Sequence, residues 1–125
     1  MIVGIGTDII RIQRMDEVLA RHGNRIVERI LTPDEQADFA QRADPGRFLA
    51  KRWAAKEAAA KALGTGIRGA IGFRSFSVRH DDLGKPELQC LDGAAERLAA
   101  LGGSQCWLTL SDEAEYAVAF VVLSR

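Results

Sequence analysis

The hydrophobic and polar positions in the first third of the chain predict a strand followed by helices. Residues 2–7 are typical of a strand, and its glycines at positions 4 and 6 would let another backbone come close. Apolar residues recur at helical spacing from Ile9 to Ala20, and the segment 22–24 (HGN) ends that helix. The segment 32–35 (TPDE) predicts a second helix start, because it combines a capping threonine, a proline at the first helical position and a glutamate three residues after the cap.

A long central helix is the clearest signal in the pattern. It begins at Asp44-Pro45, where proline occupies the first helical position, and it runs to about Leu63. Gly64 then supplies the C-terminal stop. Many alanines between positions 50 and 62 give this helix a high intrinsic propensity and a slender profile that suits close packing.

The remaining segments predict two β-hairpins with a helix between them. In chain order they are a strand at 73–80, a turn at 81–86, a strand at 87–91, a helix capped by Asp92 that ends at Leu101, and strands at 105–110 and 116–123. Adjacent hairpins favour an antiparallel β-sheet packed against helices, which is an α+β fold. Because no repeat, low-complexity tract or linker divides the chain, residues 1–125 are predicted to form a single domain.

Composition is typical of a soluble globular protein. Hydrophobic residues make up 47% of the chain and charged residues 27%, and no apolar run approaches the roughly 18 to 20 residues that span a bilayer. The N-terminal segment lacks the basic and long apolar regions of a secretory signal. Cys90 and Cys106, the only cysteines, are interpreted as reduced structural thiols. We therefore expect a cytoplasmic protein with no membrane partner.

The formal net charge is zero, but the charges are unevenly distributed. Five bases and one acid lie between Arg47 and Lys61, whereas eight acids and three bases lie from Asp81 to the last residue. A local basic excess can bind anions, although solvated helix faces explain the same pattern equally well. A nucleic-acid partner is disfavoured, because the few aromatic residues do not interleave with the basic cluster as a stacking surface requires.

Two carboxylates stand out by their positions. Asp8 follows the glycine-bearing strand, and Glu57 is the only acid in the basic part of the long helix. Taken separately, Asp8 is typical of a turn or cap residue and Glu57 of an ion-pair partner. Taken with nearby phosphate-binding features they fit a Mg²⁺ site, since this ion binds one or two carboxylates, keeps several waters and completes its octahedron with substrate phosphates. The neighbouring bases Arg52, Lys56 and Lys61 are all expected to favour an ionised Glu57.

The phosphate-binding features lie on the same helix. Lys61 is four residues after Glu57 and Trp53 is four before it, so the three side chains share one helix face. A lysine ammonium beside a diphosphate neutralises charge that a metal ion leaves. Residues 64–66 (GTG) end the helix with small residues that a ligand could approach, although a helix cap by itself accounts for Gly64.

Other catalytic constellations are missing from the sequence. It contains no convincing Ser-His-Asp or Cys-His set, and no pair of cysteines or histidines has the spacing of zinc ligands. His22 and His80 are interpreted as surface histidines. Any catalysis by this chain must therefore use carboxylate, metal and lysine.

Two segments carry a resemblance to a known enzyme family. Residues 4–15 (GIGTDIIRIQRM) and 48–66 (FLAKRWAAKEAAAKALGTG) resemble the two signatures of the holo-acyl-carrier-protein synthases, small bacterial 4′-phosphopantetheinyl transferases. Similarity extends over nearly the whole chain in the segments 29–35 (RILTPDE), 83–88 (LGKPEL) and 108–122 (LTLSDEAEYAVAFVV). The resemblance implies the fold of that family. It also implies Mg²⁺-dependent transfer of the 4′-phosphopantetheine arm from coenzyme A to a serine of an acyl carrier protein.

The resemblance further implies roles for individual residues. Asp8 and Glu57 match the Mg²⁺ ligands, and one of them accepts the serine proton through a water; which one is left open. Lys61 matches the catalytic lysine that contacts the diphosphate and the phosphate under attack. Arg52 looks like the base that reaches the 3′-phosphate of coenzyme A. Two residues after the long helix complete the coenzyme A-binding set, Gly64 and Thr65.

Partners are also implied by the resemblance. Arg14, and less closely Arg11 and Arg21, match the basic stretch of the first helix that meets the acidic carrier protein; solvated arginines on an amphipathic helix are the alternative. Asp112 stands where some members carry histidine, so the family's nucleotide contact there is not carried over, and Asp112 is a candidate turn cap. A homotrimer with active sites at the subunit junctions is implied as well.

Two other functions stay open at this point. One is a different small Mg²⁺-dependent phosphotransferase that acts on a free nucleotide or metabolite and has no use for exposed arginines on the first helix. The other is a coenzyme A-binding module without catalysis, which has no use for paired metal carboxylates.

Overall fold

The computed structural model describes residues 1–125 as five strands and five α-helices. The strands are β1 (Ile2–Arg11), β2 (Phe76–His80), β3 (Pro86–Cys90), β4 (Gln105–Asp112) and β5 (Tyr116–Ser124). The helices are α1 (Ile12–His22), α2 (Asn24–Ile30), α3 (Pro33–Phe39), α4 (Pro45–Ala62) and α5 (Asp92–Ala100). Strands β1, β5 and β4 form an antiparallel sheet in that order, and β2 pairs with β3 in a separate hairpin. The predicted α+β class is confirmed. None of the helices has the length and apolar character needed to cross a membrane.

Helix α4 lies at the centre of the core, against β1 and β5. Its alanines are buried, which explains why this helix is built from small residues. On β1, an added Cβ at Gly6 would collide with the carbonyl oxygen of Ala58, and one at Gly4 with that of Ala62. The prediction that another backbone approaches these glycines is confirmed, and that backbone belongs to α4.

Three helix boundaries follow the sequence signals. At α3, the Thr32 amide donates to Glu35 at 2.9 Å, and the Glu35 amide donates to the Thr32 hydroxyl, which completes the predicted capping box. At α4, the Asp44 carboxylate accepts from the Arg47 amide at 3.2 Å. The helix ends before Gly64, whose φ of 78° favours glycine.

The predicted start of the first helix is wrong by three residues. Residues 9–11 continue β1 and pair with residues 116–118 of β5, so α1 begins at Ile12. β-Branched Ile9 and Ile10 suit a strand, and Arg11 offers no side-chain cap that would start a helix earlier. Arg11 is therefore a strand residue, and the basic stretch assigned to the first helix is divided between two elements.

Two further boundaries differ from the prediction. Residues 73–75 form a 3₁₀ turn, so β2 begins only at Phe76. Asp92 does not cap α5: it is the first helical residue, with φ of 48°, and the preceding Leu91 makes no side-chain cap. Aspartate tolerates this left-handed backbone better than most residues, which accounts for its presence without a capping role.

Candidate active site

Strand β1 presents Asp8 to helix α4. Side chains alternate along a strand, so Asp8 shares the face of Gly4 and Gly6, which is the face that packs on α4. The Asp8 side chain is 15% exposed, and its carboxylate accepts a hydrogen bond from Lys61 Nζ at 3.0 Å. The Lys61 ammonium also donates to the carbonyl of Thr7 at 3.1 Å. The glycines thus serve the site, because they let strand and helix come close enough for Asp8 to meet Lys61.

Glu57 lies one turn before Lys61 on α4 and is half-buried. Partial burial raises its pKa, the negative charge of Asp8 raises it further, and Lys61 and Arg14 oppose both effects. Of the three bases expected to favour an ionised Glu57, Lys61 does lower its pKa, but burial and Asp8 outweigh this effect and the pKa is raised. The alternative interpretation of Glu57, as an ion-pair partner of Lys61, is not supported either, because Lys61 pairs with Asp8.

The two carboxylates fit a hard divalent cation. Asp8 and Glu57 are close enough for one charge to raise the pKa of the other group, and a cation held by both would relieve that repulsion. Nowhere in the chain do three or more histidine, cysteine or acidic side chains gather as a metal cage. A cation at these two residues would take its remaining ligands from water and substrate oxygens, as Mg²⁺ does.

Arg14 borders the carboxylates. Its guanidinium carbon lies 5.9 Å from the ring centroid of Trp53, which itself stacks on Phe73 at 4.6 Å. Its positive charge acts to lower the pKa of Glu57. Exposed Arg14 on α1 therefore stands at the edge of the pair that a metal would occupy.

The other two predicted carrier-binding arginines lie differently. Arg11 on β1 donates to the hydroxyl of Tyr116 at 2.9 Å and covers its ring. Arg21 is exposed in the last turn of α1. Of the three, the structure brings Arg14 beside the carboxylates.

The loop after α4 uses its amides to close the helix. The Gly64 amide donates to the Lys61 carbonyl at 2.9 Å, and the amides of Thr65 and Gly66 donate to the Ala60 carbonyl at 3.3 and 3.1 Å. These amides are therefore engaged and are not free for an anion. Contacts of Gly64 and Thr65 with coenzyme A stay predictions, for which the Thr65 hydroxyl is the remaining polar group; it donates to the Gly66 carbonyl.

Arg52 is buried. Its side chain is 2% exposed, its Nε lies 3.4 Å from Glu35 Oε2, and its guanidinium packs on the ring of Phe48. Burial lowers its pKa, and the charges of Glu35 and Asp38 oppose this effect. Neither Nε nor Nη2 has a hydrogen-bond acceptor in the protein. Buried donors without a partner are uncommon and call for an explanation.

A basic cavity of about 400 Å³ adjoins Arg52. Its lining contains five groups that carry or can take positive charge: Arg42, Arg47, Lys51, Arg52 and His80. Sequence reasoning counted the three bases of α4 as a charge excess but missed Arg42 and His80, because these come from other elements and have no spacing that links them to α4.

Asp112 compensates part of the positive charge that lines this cavity. Its carboxylate accepts from Arg47 at 2.8 Å and pairs with Lys51 at 3.4 Å, and Arg47 also donates to the carbonyl of Glu113. Asp112 is thus an ion-pair partner of α4, which explains the residue better than a turn cap does.

Comparison with known proteins identifies the family. A family model described as the 4′-phosphopantetheinyl transferase superfamily matches residues 4–121. The chain belongs to this superfamily. Its curated relatives include holo-[acyl-carrier-protein] synthases of Dechloromonas aromatica, 54% identical over 100% of this chain and 99% of the relative, and of Halorhodospira halophila, 52% identical over 98% of each.

Solved structures of superfamily members have the same fold. The holo-[acyl-carrier-protein] synthase of Neisseria meningitidis matches with a TM-score of 0.92 and 47% identity over the whole of both chains. The Helicobacter pylori enzyme in complex with coenzyme A matches with a TM-score of 0.84 and 27% identity, covering 96% of this chain and 99% of that one. The resemblance inferred from the two motifs is confirmed.

Proposed function

We propose that this chain transfers the 4′-phosphopantetheine group of coenzyme A to a serine of an apo-acyl carrier protein and releases adenosine 3′,5′-bisphosphate. The observation that carries the proposal is the meeting of Asp8 on β1 with Glu57 and Lys61 on α4, in a superfamily member 54% identical to a holo-[acyl-carrier-protein] synthase. A coenzyme A-binding module would not need paired carboxylates. The 54% identity to a holo-[acyl-carrier-protein] synthase over the whole chain favours a carrier protein over a free metabolite as the acceptor.

The site residues divide the work between metal and protein. Asp8 and Glu57 would hold Mg²⁺, which when bound withdraws charge from the diphosphate of coenzyme A. Lys61 is 51% exposed, so its ammonium can turn from Asp8 toward the phosphate under attack, while the Thr7 carbonyl keeps it near. Either Asp8 or Glu57 takes the proton of the carrier serine through a water.

The basic cavity takes the 3′-phosphate of coenzyme A. The Arg52 guanidinium lies in the cavity wall, and its positive charge would attract a phosphate held in the cavity. Arg42 and Lys51 add positive charge around the same space, and His80 adds more when it is protonated.

Helix geometry favours an active site shared between subunits. Arg52 and Lys61 are nine residues apart, which is about two and a half helical turns, so the two residues lie on opposite sides of α4. One coenzyme A that contacts an Arg52 and a Lys61 is therefore best accommodated by two protomers. This supports the homotrimer with active sites at the subunit junctions.

The outer face of the β1–β5–β4 sheet offers a surface for that assembly. It exposes large apolar side chains on all three strands, with Ile9 at 63%, together with Ile5, Phe120 and Trp107. Contiguous exposed apolar surface of this kind marks interaction sites. Second copies of this chain are the proposed cover, and sedimentation as a stable monomer at micromolar concentration would contradict the trimer.

Transfer itself is tested by mass spectrometry of the carrier. The protein is incubated with coenzyme A, Mg²⁺ and an apo-acyl carrier protein, beside the same carrier with its acceptor serine replaced by alanine. We expect the intact carrier to gain the mass of one phosphopantetheine group and the alanine control to gain none. An unmodified carrier, beside a control enzyme that modifies it, would overturn the proposal. A cytoplasmic location stays a prediction from composition.

A further inference from the structure

Glu35 is a buried carboxylate at which several elements meet. Its Oε1 accepts from the Thr32 amide at 2.9 Å and from Lys56 Nζ at 2.5 Å, while its Oε2 accepts from the Val78 amide at 2.9 Å. Lys56 in turn donates to the carbonyl of Ile30 at 2.6 Å. A capping role on α3 explains only the contact with Thr32. Its other contacts tie α3 to α4 and β2, and Lys56 ties α4 to the end of α2.

Arg52 completes this cluster and is its least satisfied member. Two buried cations, Arg52 and Lys56, face the single buried carboxylate of Glu35, so the cluster has one positive charge in excess. Asp38 compensates part of it from 3.6 Å, but this side chain is 40% exposed. Arg52, whose guanidinium is the less well compensated of the two cations, also lies in the wall of the basic cavity of about 400 Å³.

We infer that Glu35 is a positioning residue, which holds the Arg52 guanidinium in the cavity wall so that its positive charge serves the 3′-phosphate of coenzyme A. Glu35 itself is buried beneath Arg52 and has no role in contacting substrate. It acts by joining α4 to β2, since its Oε2 lies within reach of both Arg52 and the Val78 amide. The inference rests on the phosphate subsite given under the proposed function.

The experiment compares two donor substrates, coenzyme A and 3′-dephospho-coenzyme A, which lacks only the 3′-phosphate. kcat/KM for each is measured with the parent protein, Glu35→Gln, Arg52→Met and the double variant. We expect Glu35→Gln to reduce the parent's preference for coenzyme A by on the order of tenfold. In the Arg52→Met background the same substitution should change the preference no further, because both residues act through one contact.

A merely structural role predicts a different result. A general loss of stability in Glu35→Gln would lower kcat/KM for both donors by the same factor and leave the preference for coenzyme A unchanged. That result would overturn the inference about Glu35, whereas a preference of the parent protein for coenzyme A would still support the phosphate subsite. A further loss of preference in the Arg52→Met background would overturn it as well. A parent without preference would remove the phosphate subsite, and the role of Glu35 with it.

Folding needs its own control, because Glu35→Gln leaves two buried cations uncompensated. The double variant Glu35→Gln with Lys56→Met restores the buried net charge of the parent. If the single variant does not fold, this double variant should fold and show the same loss of preference for coenzyme A; a parent-like preference would refute the inference. Glu28→Gln, which alters an exposed glutamate on α2, is the matched control and should leave the preference unchanged.

Discussion

Gly6→Ala is the sharpest test of how this fold builds its site. The added Cβ would collide with the carbonyl oxygen of Ala58 and lie 2.7 Å from the amide nitrogen of Ala62. Both obstacles are helix backbone, which cannot move aside as a flexible side chain can. Strand β1 and helix α4 must therefore separate. Overpacking of this kind costs about 1–3 kcal/mol of unfolding free energy, or roughly 3–5 °C of Tm for each kcal/mol.

The same separation should harm catalysis more than stability. Asp8 lies two residues from Gly6 on the same strand face, so it moves away from Glu57 and Lys61 when the strand is displaced. Misplacement of a catalytic group by about 1 Å can cost on the order of 100-fold in rate, and we expect kcat to fall at least tenfold in the folded variant.

Gly72→Ala is the matched control for this substitution. Nothing lies within 4 Å of an added Cβ at Gly72, and its φ of −109° suits alanine. Thermal unfolding and phosphopantetheine transfer are measured for both variants at one protein concentration, because association makes Tm depend on concentration. A Gly6→Ala protein with parent-like Tm and turnover would refute the view that close strand–helix contact sets the site.

Three further predictions follow from the same geometry. Glu57→Gln should keep the fold but lower turnover by on the order of 100-fold and raise the Mg²⁺ concentration that activity requires. Asp8→Asn should have the same effects, and the double variant should be little worse than either single variant, because both residues act through one ion. An unchanged Mg²⁺ dependence would contradict the metal assignment. Arg14→Ala should raise KM for the carrier, as added salt should in the parent; a raised KM for coenzyme A instead would contradict the carrier contact. Burial and the nearby Arg52 and Lys51 hold the pKa of His80 below its ordinary value of 6.5, so the stability from neutral His80 is present above that pH and is lost as pH falls below it. Nuclear magnetic resonance should show this pKa rise when coenzyme A binds, and an unmoved pKa would contradict the phosphate cavity.

Local signals in the sequence predicted the elements that depend on local chemistry. The capping box at 32–35 and the Asp44-Pro45 helix start both involve residues that contact each other within one helical turn. A short stretch of sequence is therefore enough to predict these contacts. The predicted start of α1 was wrong because residues 9–11 pair with residues 116–118 of β5, which are more than a hundred positions away in the sequence. Helical spacing of apolar residues cannot reveal such a partner.

The candidate site divides in the same way. Asp8, Glu57 and Lys61 could be named as candidates because two signatures mark them, although only the structure shows that Lys61 pairs with Asp8. The cluster around Glu35 could not be predicted. The position of Glu35 in a capping box predicts only a local capping role. Its contacts with Arg52 and Val78 depend on how α3, α4 and β2 pack together, which the sequence pattern does not show.

The opposite faces of α4 connect these two parts of the molecule. One face carries Glu57 and Lys61 toward β1, and the other carries Arg52 and Lys56 toward Glu35, so a single helix supports both the carboxylate pair and the basic cavity. A slender helix with bases on both sides suits a long substrate with two separate anionic groups, if two neighbouring protomers hold its two ends. The basic composition of α4, which by charge alone was equally consistent with solvated faces, is then explained by two anion-binding faces of one helix, each of which would serve a different active site of the proposed assembly.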